Sequence, residues 1–287
     1  MSPSQRSFHP EMLQWLIIPA LLIWFSASYL LGIAAQPVWL EHESQKTAQV
    51  LAISKDQPPA LPAKSDFIWN QTGLVTFWFD DGWLTQYTLA APLLNKYGYT
   101  AAISIPTDLI GYEAYMSWGQ VKRLFHVYNW EITAHSRTHN CDRDTFAPEI
   151  LTPEIIGSQQ DLMAQGIRPD IYVVPCGKTT PELIKLVKDN YISMRDATGG
   201  LNPIPINDPY TIHAFTLHDH VSLDQVQLWL DQAQTEKLWL ILMFHQLDTT
   251  GGEYSLDPKK FEVVIQQVTQ AGLPVVNPSQ VINLLPR

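Results

Sequence analysis

From Gly73 to the C-terminus, short apolar runs alternate with longer amphipathic stretches, and this alternation restricts the fold more than any other feature of the chain. The runs Leu74–Phe79, Ala101–Ile105, Glu131–Ala134, Ile171–Val174, Ile192–Arg195, Trp239–Phe244 and Pro274–Val276 read as strands. The stretches between and after them read as helices: Thr85–Lys96 closed by Gly98, Ser117–Val127, Thr152–Gln165, Pro181–Asp189, Leu223–Thr235, Pro258–Gln270 and Pro278–Leu284. Strands that each lead into a helix must pair in parallel, and a parallel sheet has to be covered on both faces. The expectation is an α/β fold, a (β/α) barrel or near-barrel of about seven βα units, with no internal sequence repeat. In such a fold chemistry collects where strands end and loops begin, on the C-terminal face.

Ahead of this region, nothing between Glu11 and Glu41 is ionised, and Met12–Ala35 is 24 almost wholly apolar residues. As a helix it would span about 36 Å, enough for a hydrocarbon core of about 30 Å, so one transmembrane helix is expected before the α/β domain. A cleaved signal peptide ending near Gly32-Ile33-Ala34 is the competing reading, but its apolar part is ordinarily only about 7–15 residues long. Arg6 before the segment and Glu41 and Glu43 after it favour a cytoplasmic tail over 1–11 and export of the rest, to the periplasm or bacterial cell surface. Residues 36–72, with Pro37, Pro58, Pro59 and Pro62, read as a tether. Residues 73–287 are left as the folded domain. A net charge of −10 and the lack of any Lys/Arg cluster exclude a nucleic-acid partner. The 46% hydrophobic content, with 10 Trp, 11 Tyr and 10 Phe, supplies a large core.

The strand ends carry polar residues that packing does not need. Asp80 and Asp81 follow the first apolar run and precede Gly82; one of them could cap the next helix, but a cap uses a single carboxylate. His135 and His139, four residues apart after the third run, can face one metal ion. Ser136 stands where a zincin has its basic Glu, so the base must come from elsewhere. The Asp pair can provide one metal ligand and one base, giving a two-His, one-carboxylate site. His245, ending the run Trp239–Phe244, is a candidate general acid.

In this order the segments Trp78-Phe79-Asp80-Asp81-Gly82, His135 to His139, Pro175-Cys176-Gly177 and Leu242 to His245 resemble the polysaccharide deacetylase family, the NodB-type domain of carbohydrate esterase family 4, over about residues 73–285. The resemblance implies a distorted (β/α) barrel and a metal-dependent N-deacetylase, which the expected membrane segment Met12–Ala35 would anchor beside an extracytoplasmic amino-sugar polymer. It assigns Asp80 as base, Asp81, His135 and His139 as ligands of one divalent metal, with Zn²⁺ the expected ion, and His245 as the acid that protonates the leaving amine. The backbone N–H of Cys176, beside Pro175, becomes an oxyanion donor. Trp78 and Trp83 are either sugar-stacking walls or core.

The chain also departs from the family. Trp78 replaces a small hydroxyl residue, and Val173 stands where many members carry the Arg that orients the base. Arg195, ending its own apolar run, is the candidate replacement, with an ion pair to Asp196 or a capping role the slightly favoured alternative. Cys141 and Cys176, the only cysteines, either bridge across 35 residues or pack separately, the latter favoured by a small margin. His218-Asp219-His220 reads as an exposed alternation, and the Asn70-Gln71-Thr72 sequon as uninformative. The rival functions are an O-acetyl esterase built on the same site and a catalytically silent glycan-binding module. Substrate polymer and oligomeric state stay open.

Overall fold

The computed structural model describes residues 72–141 and 147–284, which fall in one compact unit. The expected tail, membrane segment Met12–Ala35 and tether up to residue 71 lie outside the described residues. Among the described residues no helix is long and apolar enough to cross a membrane.

Seven strands form one all-parallel sheet: β1 (Leu74–Phe79), β2 (Ala102–Ile105), β3 (Glu131–Ala134), β4 (Ile171–Val173), β5 (Ser193–Arg195), β6 (Phe215–Thr216) and β7 (Trp239–Phe244). Their order is β5-β4-β3-β2-β1-β7-β6. Strands β1, β2, β4 and β7 split their side chains between two apolar layers, as the two-residue period of a strand requires. In β1, Leu74 and Trp78 join an inner cluster with Ile171, Val173, Trp239, Ile241 and Met243. Val75, Phe77 and Phe79 point the other way, into the layer beneath the helices, with Leu240, Leu242 and Phe244. The sheet therefore curls around its own side chains, and the inner residues are its filling.

The curl is a half-barrel with β5 and β6 as its edges. The irregular segment 196–214 runs along the open seam: Ile212 bridges Arg195, and Asn202 exchanges backbone bonds with Trp239. Of the expected strands, Pro274–Val276 contributes only one bridge, Val275 to Val75, at the N-terminal end of β1. The seventh strand is instead β6, a two-residue strand at the edge beside β7 that too little apolar sequence announces.

The outer helices start where local chemistry stops the strand from continuing. Ser117 opens the helix Trp118–His126 with a capping box to Gln120. Thr180 and Ser222 accept backbone bonds from the third helical residue of Pro181–Asn190 and Leu223–Glu236. Asp257 accepts instead from the second helical residue, Lys259, at Pro258–Ala271, which Gly272 closes in the left-handed conformation. The helix Pro148–Ala164 starts four residues before the expected Thr152, with Pro148 at its first position, where a missing N–H costs nothing.

Candidate active site

At the C-terminal ends of the strands the inward-facing alternation continues for one more residue, and this places the polar groups. After Leu74, Thr76 and Trp78 the next inward position of the first strand is Asp80; after Thr133 it is His135; after Met243 it is His245. Arg195 is the last residue of β5 and also faces inward. All but His245 are among the buried residues.

Asp81 does not follow the alternation. It adopts φ 79° and Gly82 follows at φ 73°, a left-handed pair that turns the chain sharply and swings the second carboxylate over the barrel mouth. A Cβ on Gly82 would also press on Ile110 at 3.1 Å. The loop after β3 turns similarly, with Ser136 at φ 62° and His139 at φ 55°. Ser136 Oγ accepts the His139 N–H, and Glu154 accepts the N–H groups of Arg137 and Thr138 from the helix behind. Arg137 is in turn held by both carboxylate oxygens of Asp161.

These loops bring Asp81, His135 and His139 together. Asp81 Oδ1 lies 3.4 Å from His135 Nε2 and 3.1 Å from His139 Nε2. His135 Nδ1–H donates to the Val173 carbonyl at 2.9 Å, which leaves the Nε2 lone pair directed at the cluster. Asp81 Oδ1 is buried with no hydrogen-bond donor, while its other oxygen accepts from Trp83 Nε1–H at 3.0 Å. Two imidazole nitrogens and an orphaned carboxylate oxygen converging on one point are the donor set of a divalent metal, so these residues fit the ion that the motifs imply. Burial pushes the Asp81 carboxyl up, and the imidazoles of His135, His245 and His139 together outweigh it and hold the carboxyl low. Burial, with His135 adding to it, lowers the basicity of His139.

Asp80 has different partners. Arg195 Nη2 lies 2.5 and 2.6 Å from its two oxygens, and Ser104 Oγ donates to Oδ1 at 2.8 Å. Burial would raise the Asp80 carboxyl, but the Arg195 guanidinium, joined by His135 and His245, holds the group below the ordinary carboxylate range. Arg195 itself stacks on the Trp78 ring at 4.7 Å and donates to Met243 Sδ. The ion pair with Asp196 favoured from the sequence does not form; Arg195 reaches only the Asp196 carbonyl. Trp78 is fully buried and donates to Ser104 Oγ, so it is core and not a sugar wall.

His245 follows β7, its Nδ1 buried without a partner and its ring 4.9 Å from that of Tyr254. Gln86 Nε2 ties the Asp80 and His245 carbonyls together, at 2.5 and 3.0 Å. Across the mouth, Pro175–Gly177 forms a 3-10 turn with Cys176 at φ 56°. Cys176 is bridged to Cys141, Cα atoms 6.0 Å apart, so the separate packing favoured from the sequence is overturned. The bridge ties the His139 loop to the Pro175–Gly177 turn. His218 and His220 lie in a turn after β6, rings 5.6 Å apart, outside the Asp81 cluster.

The residues that sequence reasoning missed are supporting ones: Ser104, Gln86 and Met243. Ser104 had a signal, a lone hydroxyl at an inward position of the apolar run Ala101–Ile105. Gln86 and Met243 had none.

Residues 70–194 match the polysaccharide deacetylase family; Arg195 and His245 lie beyond the matched span. Among solved structures, a Streptococcus pyogenes deacetylase, PplD, in complex with acetate is 21% identical with a TM-score of 0.50, covering 63% of this chain and 76% of that one. The Xyl-CE4 domain of a multidomain xylanase from the hindgut metagenome of Trinervitermes trinervoides is 17% identical, TM-score 0.53, covering 74% and 90%. A family 4 carbohydrate esterase from Streptomyces lividans in complex with acetate is 16% identical, TM-score 0.51, covering 72% and 94%. At these identities the likeness is one of fold. No curated protein matches the chain. The matched span of residues 70–194, the shared fold and the motifs at the strand ends agree in likening this chain to the polysaccharide deacetylase family.

Proposed function

We propose that the chain is a metal-dependent N-deacetylase that removes acetyl groups from an extracytoplasmic amino-sugar polymer, leaving free amines, and that Met12–Ala35 tethers it to the membrane. The observation that carries the reading is the division of the two adjacent carboxylates. Asp81 Oδ1 has only the two imidazoles before it, whereas Asp80 is clamped by a guanidinium and a hydroxyl. One is prepared to hold a cation and the other to stay ionised beside it.

Asp81, His135 and His139 would hold the ion. When bound, a divalent cation, Zn²⁺ by expectation, supplies Lewis acidity that polarises an acetamide carbonyl and lowers the pKa of water. Asp80 is the general base. Its Oδ1 already accepts from Ser104 and Arg195 while Oδ2 accepts from Arg195 alone, so Oδ2 has the free lone pair and takes the proton. Arg195 orients this carboxylate and keeps it ionised until that moment. The backbone N–H of Cys176 supports the oxyanion, in a turn that the disulfide holds against the His139 loop. His245 delivers a proton to the departing nitrogen, which an amine leaving group requires more than an ester oxygen does.

The test is acetate release by the full chain from peptidoglycan, chitin-like and poly-N-acetylglucosamine polymers, beside O-acetylated controls. Release from an N-acetylated polymer that is lost in His245→Ala supports the reading. Release confined to O-acetylated polymer, little affected by that change, would reassign the chain as an esterase. Intact-mass analysis checks the tether: a mature N-terminus near Ala35 would exclude it.

A further inference from the structure

We infer that Trp83, braced by Tyr115, is the residue that positions Asp81 as a metal ligand, and that metal affinity depends on this indole. The inference rests on the metal reading above. Trp83 lies one residue beyond the Asp-Asp-Gly segment, and its Nε1–H donates to Asp81 Oδ2 at 3.0 Å. An indole N–H can only donate, so this bond fixes the plane of the carboxylate and leaves Oδ1 as the single oxygen presented to His135 and His139.

The indole is itself held. Its ring stacks on Tyr115 with centroids 4.4 Å apart and planes inclined by 21°. The same segments pair through their backbones: Leu84 N–H donates to the Ala114 carbonyl at 2.8 Å, and Met116 N–H to that of Gly82 at 2.9 Å. Met116 is fully buried, so the strap that carries Tyr115 is anchored at its end. This bracing matters because Asp81 and Gly82 are both left-handed, a turn with no regular element to stiffen it. One ring face is covered by Tyr115 and the N–H edge is used by Asp81, so the indole serves the ligand ahead of any sugar.

The experiment measures Zn²⁺ affinity of the full chain by competition with a chromophoric chelator, and the d–d absorption of the Co²⁺-loaded protein. Trp83→Phe keeps the stack on Tyr115 and removes the donor; it should weaken Zn²⁺ binding about 10–100-fold, the usual effect of removing a group that orients a ligand. The Co²⁺ spectrum should shift while melting of the metal-free protein does not. Trp83→Gln, which returns an N–H donor, should recover part of the affinity, and Tyr115→Leu should fall between Trp83→Phe and wild type. If Trp83→Phe binds Zn²⁺ like wild type while Asp81→Ala does not bind it, the inference is wrong and the metal reading stands. If Asp81→Ala also binds like wild type, the metal reading fails and takes this inference with it.

Discussion

Arg195 and Asp80 meet across the half-barrel: the guanidinium of the edge strand β5 lies 2.5 and 2.6 Å from the carboxylate that follows β1, four strands away in the sheet. Only strong curling of the sheet permits this. The pair is almost wholly dry, with side chains 1% and 6% exposed. Removing one partner strands the other, so Arg195→Met should destabilise the fold by about 3–5 kcal/mol. With the cation gone, burial and the neighbouring Asp81 are opposed only by His135 and His245, and the Asp80 carboxyl moves upward. The acidic limb of the kcat/KM profile should therefore move to higher pH. Arg195→Lys should not restore wild-type behaviour, because an ammonium lacks the planar guanidinium that stacks on Trp78 and the second nitrogen that donates to the Asp196 carbonyl and Met243 Sδ. An unchanged limb and unchanged kcat in Arg195→Met would remove Arg195 from the site.

Trp78 and Ser104 form the second support of Asp80. Trp78 Nε1–H donates to Ser104 Oγ at 2.7 Å, so the serine's own proton is left for Asp80 Oδ1. Trp78→Phe keeps a ring under Arg195 but releases this constraint. It should lower kcat several-fold with KM little changed, and Ser104→Ala should do the same. Double-mutant kinetics check the coupling: the two losses should not add, since both act through one hydroxyl.

Cys141 and Cys176 close a loop of 35 residues, and the chain contains no free cysteine. In the loop-entropy picture such a closure contributes about 3–4 kcal/mol. Thiol titration of the denatured, unreduced protein should find none, and two per chain would contradict the bridge. Cys141→Ala with Cys176→Ala should lower Tm and, by freeing the turn from the His139 loop, also lower kcat.

Glu131, at the N-terminal end of β3, lies far from this chemistry. Its Oε2 accepts the Ser279 N–H at 2.9 Å, yet burial outweighs that bond and lifts the carboxyl to about 7. The folded chain thus holds a proton there that the unfolded chain releases near pH 4.3, and the stability tied to it declines as pH rises through about 4 to 7. Glu131→Gln accepts the same bond without a charge. Melting curves should show its advantage over wild type to be larger at pH 8 than at pH 5.

Legibility followed the two-residue period. Asp80, His135, His245 and Arg195 continue the inward face of long or clear apolar runs, so the sequence places them at one mouth without reference to the sheet. The edges were harder. Phe215–Thr216 pairs with β7 through two residues, too short for any period, and Pro274–Val276 has a strand's composition but gains only one bridge. The Arg195–Asp80 ion pair competed with the neighbour Asp196 because curvature, which decides it, is not written locally. The disulfide depended on the Cα atoms coming within bridging distance, a product of two left-handed loops that no spacing rule anticipates.

The most direct measurement is acetate release from an N-acetylated amino-sugar polymer by the full chain, stripped with chelator and then titrated with Zn²⁺, alongside Asp80→Asn and Asp81→Ala. Release should be absent in the stripped protein and return at one ion per chain. Asp80→Asn should take up that ion without turnover, and Asp81→Ala should fail to take it up. Stripped protein that still releases acetate, or Asp80→Asn that turns over like wild type, would contradict the assignment of a metal-holding and a proton-accepting carboxylate at adjacent positions.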